Sequence, residues 1–207
     1  MKPAGKSTRD PSTTPLIVKV GGSLYNQIPD LVPVLNASKR PLLLIPGGGP
    51  FADLVRHVQV DNDTAHWMAI AAMEQYSWFI ASSGIPVTDI LSTPLTPTVL
   101  LPYRCLRLTE ALPHTWDATS DSIAAWVADT LHLDLLLLKS VDGIFINGIL
   151  QKKVKAPVES DVIDPFFIPF VLKKSVKTTI INGSQPDRVE KYLQGDLVPH
   201  TEIGTTF

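Results

Sequence analysis

The sequence is poor in several features that mark particular classes of protein. It has 1 cysteine in 207 residues, Cys105, which excludes an internal disulfide framework and fits a reducing compartment. The net charge is −2, without the basic excess of a nucleic-acid binder. No run reaches the ~20 apolar residues of a membrane span, and no apolar run follows the first charges as in a signal peptide. We therefore expect a cytoplasmic protein with neither nucleic-acid nor membrane partners.

The order of apolar and polar runs predicts an α/β fold. Residues 1–15 are polar and are expected to form a flexible tail, and residues 16–207 a single domain. Strand-like runs alternate with helix-like runs, which favours a mostly parallel sheet covered on both faces, a three-layer α/β/α sandwich. The strand-like runs are 16–20, 41–46, 87–91, 98–108, 134–139 and 177–182. The helix-like runs are 28–38, 50–60, 63–83, 120–132, 162–174 and 186–194, and Asn147-Gly148 predicts a hairpin turn.

Two of these strands run directly into glycine-rich turns. The first, LIVKVGGS at 16–23, carries Lys19 and ends in Gly21, Gly22 and Ser23, and the second opens into PGGGP at 46–50 with Gly47, Gly48 and Gly49. Such turns expose backbone N–H groups to an anion, and an ammonium beside them strengthens the site. The pair predicts a phosphate site and points to phosphoryl transfer. The alternatives are that the turns need only flexibility and that Lys19 reaches water at an edge.

Two further segments carry polar residues next to predicted strands and helices. Asp121 opens the helix-like run at 120–132, where it either complements the helix dipole or faces the lysine and phosphates, orienting the lysine or helping to hold Mg²⁺. The run Lys139-Ser140-Val141-Asp142-Gly143 follows the strand 134–139, at the end where open α/β sheets bind ligands. The alternative for this second segment is a plain loop before the hairpin.

Taken together, these motifs resemble the amino acid kinase family. The resemblance rests on VKVGGS, PGGGP, ATSDSIAA, LLLLKSVDGIF, IINGS and the closing GTTF, and it spans residues 16–207. It implies an α/β/α sandwich fold and an enzyme that transfers the γ-phosphoryl group of Mg-ATP to a phosphate or carboxylate acceptor. It also implies that Lys19 and Asp121 are catalytic, and it singles out no residue as a metal ligand. The residues it implies at the nucleotide and its phosphates are Gly21, Gly22, Ser23, Gly48, Gly49, Lys139, Ser140, Asp142 and Gly143.

The segment 63–70, with Met73 and Tyr76, is similar to the aminomethylfuran phosphate kinase group of this family. That resemblance implies a phosphate monoester as acceptor, a diphosphate product and an acceptor pocket lined by the helix 63–83. The substrate-binding residues it implies are Gly47, Arg56, His66 and Thr119. For His66 the alternative is ordinary helix packing, and for Arg56 a surface position.

The sequence also departs from the family pattern. Isopentenyl phosphate kinases carry Ser-Phe-Gly-His just after the glycines, where this chain has Pro50-Phe51-Ala52-Asp53, so that activity is not expected. Many members carry a GGM segment and a second catalytic lysine late in the sequence, and this chain has no GGM segment. The second cation is left open among Lys152, Lys153, Lys155, Lys173, Lys174 and Lys177. Two alternative functions stay open, a carboxylate kinase and a non-catalytic nucleotide-binding member, and a homo-oligomer is expected.

Overall fold

The computed structural model describes residues 13–109 and 112–205, so most of the predicted tail 1–15 and the end of the closing GTTF lie outside the described residues. The ten strands are β1 Leu16–Val20, β2 Leu42–Pro46, β3 Val87–Thr88, β4 Thr98–Leu100, β5 Asp134–Lys139, β6 Phe145–Ile146, β7 Ile149–Leu150, β8 Lys153–Val154, β9 Thr178–Asn182 and β10 His200–Ile203. Eight of them form one sheet in the order β3-β4-β2-β1-β5-β9-β10-β8. All its pairs are parallel except β9 with β10.

Helices cover both faces of this sheet. They are α1 Ile28–Asn36, α2 Gly49–His57, α3 Asn62–Ala81, α4 Pro102–Thr109, α5 Ser120–Leu131, α6 Phe167–Lys174 and α7 Pro186–Gln194, with a 3₁₀ helix at Gly22–Gln27. One buried cluster joins α5 and α6 to one face of β1, β2 and β5, and a second joins α1 and α7 to the opposite face. The predicted three-layer fold is confirmed. Among the described helices, none is long and apolar enough to cross a membrane.

Strand β1 lies near the centre of the sheet, and all five of its residues are buried. Its register sets Lys19 level with Ile45 of β2 and Leu137 of β5. Because these three strands are parallel, their carboxyl ends meet at one edge of the sheet. Both glycine turns and the loop after β5 therefore emerge at that edge.

The predicted strand 98–108 is wrong beyond its first residues. The strand ends at Leu100, and Pro102 begins α4. Proline is favoured in the first turn of a helix, where its missing N–H is no loss. Pro102, Cys105 and Leu106 share the buried face of α4, a three-to-four-residue spacing that fits a helix rather than a strand.

Other differences are smaller. The predicted hairpin is confirmed, and Asn147 and Gly148 both take positive φ, as a two-residue turn of this type requires. Helix α6 begins at Phe167 instead of 162, because Pro165 and the side chain of Asp164 belong to the preceding loop. The short strands β8 and β10 and the 3₁₀ helix were not predicted, because segments of two to six residues carry little periodic signal.

Candidate active site

The two glycine turns lie against each other. The amide of Gly47 donates to the carbonyl of Val20 at 2.8 Å, and the amide of Gly21 donates to the carbonyl of Leu138 at 3.0 Å. A Cβ added to Gly22 would lie 2.6 Å from the amide nitrogen of Gly49. Only glycine permits this approach, which brings the turns after β1 and β2 together at one point of the sheet edge.

Three charged side chains meet beside these turns. The Lys19 Nζ lies 2.8 Å from Asp121 Oδ1, and the Lys139 Nζ donates to Asp121 Oδ2 at 2.6 Å. Asp121 is the second residue of α5, while the lysines lie on β1 and β5 and face the same side of the sheet, because alternate residues of a strand share a face. The side chains of Lys19 and Asp121 are 4% and 5% exposed, and that of Lys139 is 13% exposed.

The charges of this cluster perturb one another. Burial alone would raise the pKa of the Asp121 carboxyl, but the adjacent Lys19 and Lys139 outweigh it and lower the pKa below its ordinary value. Burial and the charge of Lys19 lower the pKa of Lys139 to about 8. Asp121 is therefore ionised at neutral pH and holds both ammonium groups. Among the described residues, none donates an aligned hydrogen bond to its buried Oδ1, so Lys19 is held there through charge.

The Lys19 ammonium also borders the second turn. A Cβ added to Gly47 would lie 3.5 Å from Lys19 Nζ, 3.3 Å from Ser120 Oγ and 3.0 Å from the amide nitrogen of Gly22. A cation, a hydroxyl at the start of α5 and a backbone amide thus surround one small space beside Gly47. Groups of this kind bind and stabilise anionic oxygens.

The start of α5 is held in place by a residue far along the chain. Asp164 Oδ2 accepts from the backbone and hydroxyl of Thr119, both at 2.9 Å, and from the Ser122 amide at 3.2 Å. Its Oδ1 accepts from the Ser122 hydroxyl at 2.5 Å. Asp164 thus caps the helix that carries Asp121, a role that Thr119 does not fill with its own side chain. Asp164 is not among the predicted site residues, because no local pattern links residues 42 to 45 positions apart.

The loop after β5 forms a second part of the edge. Asp142 accepts from Asn182 Nδ2 at 3.0 Å and pairs with Arg188, and these two contacts lower the pKa of its carboxyl. Gly143 has φ +154°, and a Cβ there would collide with the hydroxyl of Thr201. That hydroxyl accepts from the amide of Ile144 and fixes the loop. Ser140 is exposed at the start of the loop, next to Lys139.

A cavity opens between α2, α3 and the start of α5, next to the second glycine turn. It encloses about 620 Å³ including its open mouth. The predicted substrate residues Arg56, His66 and Thr119 line it, together with Gly48, while Gly47 stands outside the lining, beside Lys19. Its apolar wall is formed by Ala52, Ala65, Ala69, Ile70, Met73, Ala118 and Ile123.

Aromatic rings and one cation surround this cavity. The rings of His66 and His114 stack with centroids 3.9 Å apart, and His114 Nδ1 lies 2.7 Å from Asp63 Oδ1. Burial and the neighbouring His114 lower the pKa of His66 to about 4, so its imidazole is neutral at pH 7. The guanidinium of Arg56 lies 5.4 Å from the ring centroid of Trp116. His114 is not among the predicted site residues either, because it lies in an irregular loop without periodicity.

The described residues do not form a magnesium site of their own. Among residues 13–109 and 112–205, no group of three or more histidine, cysteine, aspartate or glutamate side chains could hold a metal ion. Asp121 faces an ammonium with each of its oxygens, so the alternative that it holds Mg²⁺ does not fit this arrangement.

Comparison with known proteins identifies relatives along nearly the whole chain. A [5-(aminomethyl)furan-3-yl]methyl phosphate kinase from Methanocaldococcus jannaschii is 30% identical over 90% of this chain and 96% of its own length. A uridylate kinase from Methanocella arvoryzae is 26% identical over 39% of this chain and 45% of its own length. No family model matches the sequence.

Solved structures share the fold at low identity. A UMP kinase from Ureaplasma parvum superposes with a TM-score of 0.72 at 14% identity, covering 93% of this chain and 99% of its own. A uridylate kinase from Archaeoglobus fulgidus gives 0.67 at 19% identity, over 91% and 99% of the two chains. An isopentenyl phosphate kinase gives 0.63 at 16% identity, over 91% and 100%.

These relatives carry names of phosphotransferases, which confirms the prediction of a kinase. The full-length match at 30% identity also confirms the predicted resemblance to the aminomethylfuran phosphate kinase group. From its fold and from this relative, the chain belongs to the amino acid kinase family.

Proposed function

We propose that this protein transfers the γ-phosphoryl group of ATP to a phosphate monoester bound in the cavity between α2, α3 and α5. The observation that carries the proposal is the buried cluster of Lys19, Asp121 and Lys139 beside two touching glycine turns. The residues on either side of Asp121's helix start, Thr119 and Ser120, line the cavity, and the loop 140–143 follows directly after Lys139. An acceptor and a nucleotide can therefore approach the same cations.

The cavity suits an acceptor with a small flat ring. Its wall is apolar, and the rings of His66 and Trp116 line it, with His66 held by stacking on His114 outside the lining. Because His66 is neutral at pH 7, it contributes ring contact and hydrogen bonding rather than charge. We propose that Arg56 at the rim attracts the phosphate of the acceptor. By likeness to the M. jannaschii relative, the specific acceptor we propose is [5-(aminomethyl)furan-3-yl]methyl phosphate, with a diphosphate as product.

The nucleotide belongs beside the loop that follows Lys139. We propose that the turn at Ser140, Asp142 and Gly143 borders it, supported by the way Asn182 and Arg188 fix Asp142 at the sheet edge. The same edge of parallel strands is where ligands bind in open α/β sheets. The β- and γ-phosphates then reach the amides of the two glycine turns. Mg²⁺, carried by those phosphates, would offset part of their charge.

In the proposed reaction the protein acts mainly by charge and position. As the γ-phosphoryl group leaves ADP, negative charge spreads over its equatorial oxygens. The Lys19 ammonium and the amides of Gly22, Gly48 and Gly49 would offset that charge. Asp121 holds Lys19 in position and stays ionised throughout, because its pKa is lowered by the lysines. The acceptor needs no general base, since a phosphate monoester already carries a charged oxygen at neutral pH.

We further propose that the enzyme works in the cytoplasm as a homo-oligomer. The buried Cys105 needs no disulfide partner, and the large apolar side chains of Leu54 and Trp78 are 70% and 54% exposed. Exposed apolar groups of this size are typical of subunit contacts when they cluster. Light scattering coupled to gel filtration gives the oligomeric state, and a mass equal to one chain at micromolar concentration contradicts this part of the proposal.

The function is tested by direct assay of phosphoryl transfer. Purified protein is incubated with Mg-ATP and one acceptor at a time: the furan phosphate, isopentenyl phosphate, UMP or glutamate. We expect ADP formation with the furan phosphate and a diphosphate signal in the ³¹P NMR spectrum, and we expect Lys19→Ala to lower kcat by about 10²–10⁴-fold without loss of fold. Turnover of glutamate but not of phosphate monoesters indicates a carboxylate kinase, and ATP binding without any turnover indicates a non-catalytic member.

A further inference from the structure

Transfer between two phosphates brings together more negative charge than one lysine offsets. The sequence leaves six lysines open as a second cation: Lys152, Lys153, Lys155, Lys173, Lys174 and Lys177. All six are exposed. Lys177 precedes β9, so it lies at the amino edge of the parallel strands, opposite the glycine turns. Lys174 pairs with Asp129 of α5 at 2.9 Å, and this surface pair lies at the other end of α5 from Asp121.

We propose that Lys139 is the second cation of phosphoryl transfer, on the side of the nucleotide. This inference rests on the proposed function. Lys139 is the last residue of β5 and lies immediately before the loop 140–143. Lys19 and the hydroxyl of Ser120 both lie beside Gly47, and Ser120 lines the acceptor cavity. Both ammonium groups contact the same carboxylate, so they are held close to one another on one face of the sheet.

The number of charges in the cluster favours a role beyond structure. Two ammonium groups pair with the one carboxylate of Asp121. The other carboxylate that faces Lys139, Asp164, accepts hydrogen bonds from Thr119 and Ser122 with both of its oxygens, so the direct ion pairs of the cluster leave one positive charge in excess. An uncompensated charge in the protein interior costs free energy. A buried lysine with a purely structural role would be expected to have a carboxylate partner of its own, whereas Lys19 and Lys139 share Asp121. The excess charge at Lys19 and Lys139 is offset when an anion binds between them, which is what a transferring phosphoryl group supplies.

The step itself balances without a proton. An oxygen of the acceptor phosphate attacks the γ-phosphorus, and the bond from that phosphorus to the oxygen bridging the β- and γ-phosphates breaks. The electron pair of the broken bond stays on the β-phosphate of ADP. In this scheme Lys139 donates hydrogen bonds to oxygens of the β- and γ-phosphates and offsets the charge that develops there, while Lys19 does the same on the acceptor side.

The surroundings of Lys139 give the inference a distinctive pH dependence. The charged groups that face it are Lys19 from β1, Asp121 from α5 and Asp164 from the loop before α6. Burial and Lys19 lower its pKa to about 8, although the two carboxylates oppose this. In the free enzyme the ammonium therefore loses its proton as the pH rises through about 8, and kcat/KM, which reports the free enzyme, falls above that pH.

The test compares Lys139→Gln and Lys139→Arg with the wild type and with Lys174→Gln. The last variant is a matched control, because it removes an exposed lysine that also pairs with an aspartate of α5. We expect Lys139→Gln to lower kcat by about 10²–10³-fold, as loss of one charge-stabilising donor does, with a much smaller change in the KM for ATP. We expect Lys139→Arg to keep part of the rate and to move the alkaline fall of kcat/KM upward by more than one pH unit, because arginine stays protonated.

The outcomes separate the two proposals. A wild type that phosphorylates the furan phosphate while Lys139→Gln keeps its kcat overturns the inference and leaves the proposed function standing. An alkaline fall at the same pH in Lys139→Arg and the wild type also overturns it. A wild type without transfer to any acceptor overturns the proposed function and the inference with it. Should Lys139→Gln fail to fold in urea titrations, the pH profile of Lys139→Arg decides.

Discussion

Replacing Asp121 with asparagine tests whether one buried carboxylate organises the whole site. Asp121 lies between Lys19 Nζ at 2.8 Å and Lys139 Nζ at 2.6 Å, and its side chain is 5% exposed. Asparagine keeps nearly the same shape but removes the negative charge. The variant therefore leaves two ammonium groups in a buried cluster with no carboxylate between them.

The size of the effect follows from the burial of this cluster. Removing one partner of a buried ion pair costs about 3–5 kcal/mol, and we expect the lower end because an amide oxygen still accepts a hydrogen bond from one lysine. In a chain of this size each kcal/mol moves the Tm by about 2–4 °C, so the Tm should fall by about 6–12 °C. Because Asp121 raises the pKa of Lys139, its loss should lower that pKa below about 8.

The assay joins stability to turnover. Thermal unfolding is followed with and without ATP, and we expect ATP to raise the Tm more in Asp121→Asn than in the wild type, because its phosphates offset the repelling lysines. We expect kcat to fall by at least about 10²-fold, since Lys19 is no longer held in position. A variant with an unchanged Tm and unchanged kcat refutes the reasoning. A lower Tm with full turnover reduces Asp121 to a structural residue at the start of α5.

Three further predictions address the turns and the acceptor cavity. Gly22→Ala places a Cβ 2.6 Å from the amide nitrogen of Gly49, so it should abolish turnover and lower the Tm. Gly84→Ala meets no atom within 4 Å but has φ +97°, so it should cost only the backbone strain, about 1–3 kcal/mol in urea unfolding. The pKa of His66 is about 4 in the folded protein against an ordinary 6.5, so the free energy of unfolding should fall as the pH drops from 6.5 towards 4. His66→Gln should flatten this part of the plot of unfolding free energy against pH, and an unchanged slope contradicts the assignment. Arg56→Ala should raise the KM for the phosphate acceptor about tenfold with little change in the KM for ATP, and equal effects on both would contradict its place at the cavity rim.

The parts of the site that can be predicted from the sequence are those that depend on short local patterns of residues. A buried strand followed by glycines indicates an anion-binding turn, and both turns lie where that pattern predicts, side by side with Lys19 between them and Asp121. The alternation of strands and helices predicts the parallel sheet, and parallel strands bring their carboxyl ends to one edge. The sequence does not give the order of the strands, and it is the pairing of β1 with β2 that brings the two turns together.

The parts that the sequence could not give depend on contacts between distant residues. Asp164 caps α5 across 42 to 45 positions, and no periodicity links it to Thr119 or Ser122. Lys139 was predicted to border the nucleotide, but its ion pair with Asp121 follows only from the pairing of β5 with β1. The strand prediction at 98–108 failed because apolar residues dominate there, and it undervalued Pro102 as the start of a helix.

The strand order gives a physical reason why the cations lie where they do. From β1 the chain moves outward through β2 towards β3 and β4, whereas from β5 it moves to β9 on the other side. Connections that leave neighbouring strands in opposite directions open a crevice between them, and open α/β sheets bind ligands there. Lys19 and Lys139 belong to the two strands that border this crevice, β1 and β5. In the proposed reaction, an acceptor held by α2 and α3 and a nucleotide held after β5 would therefore meet at this crevice, where the single carboxylate of Asp121 on α5 holds one lysine from each of the two strands.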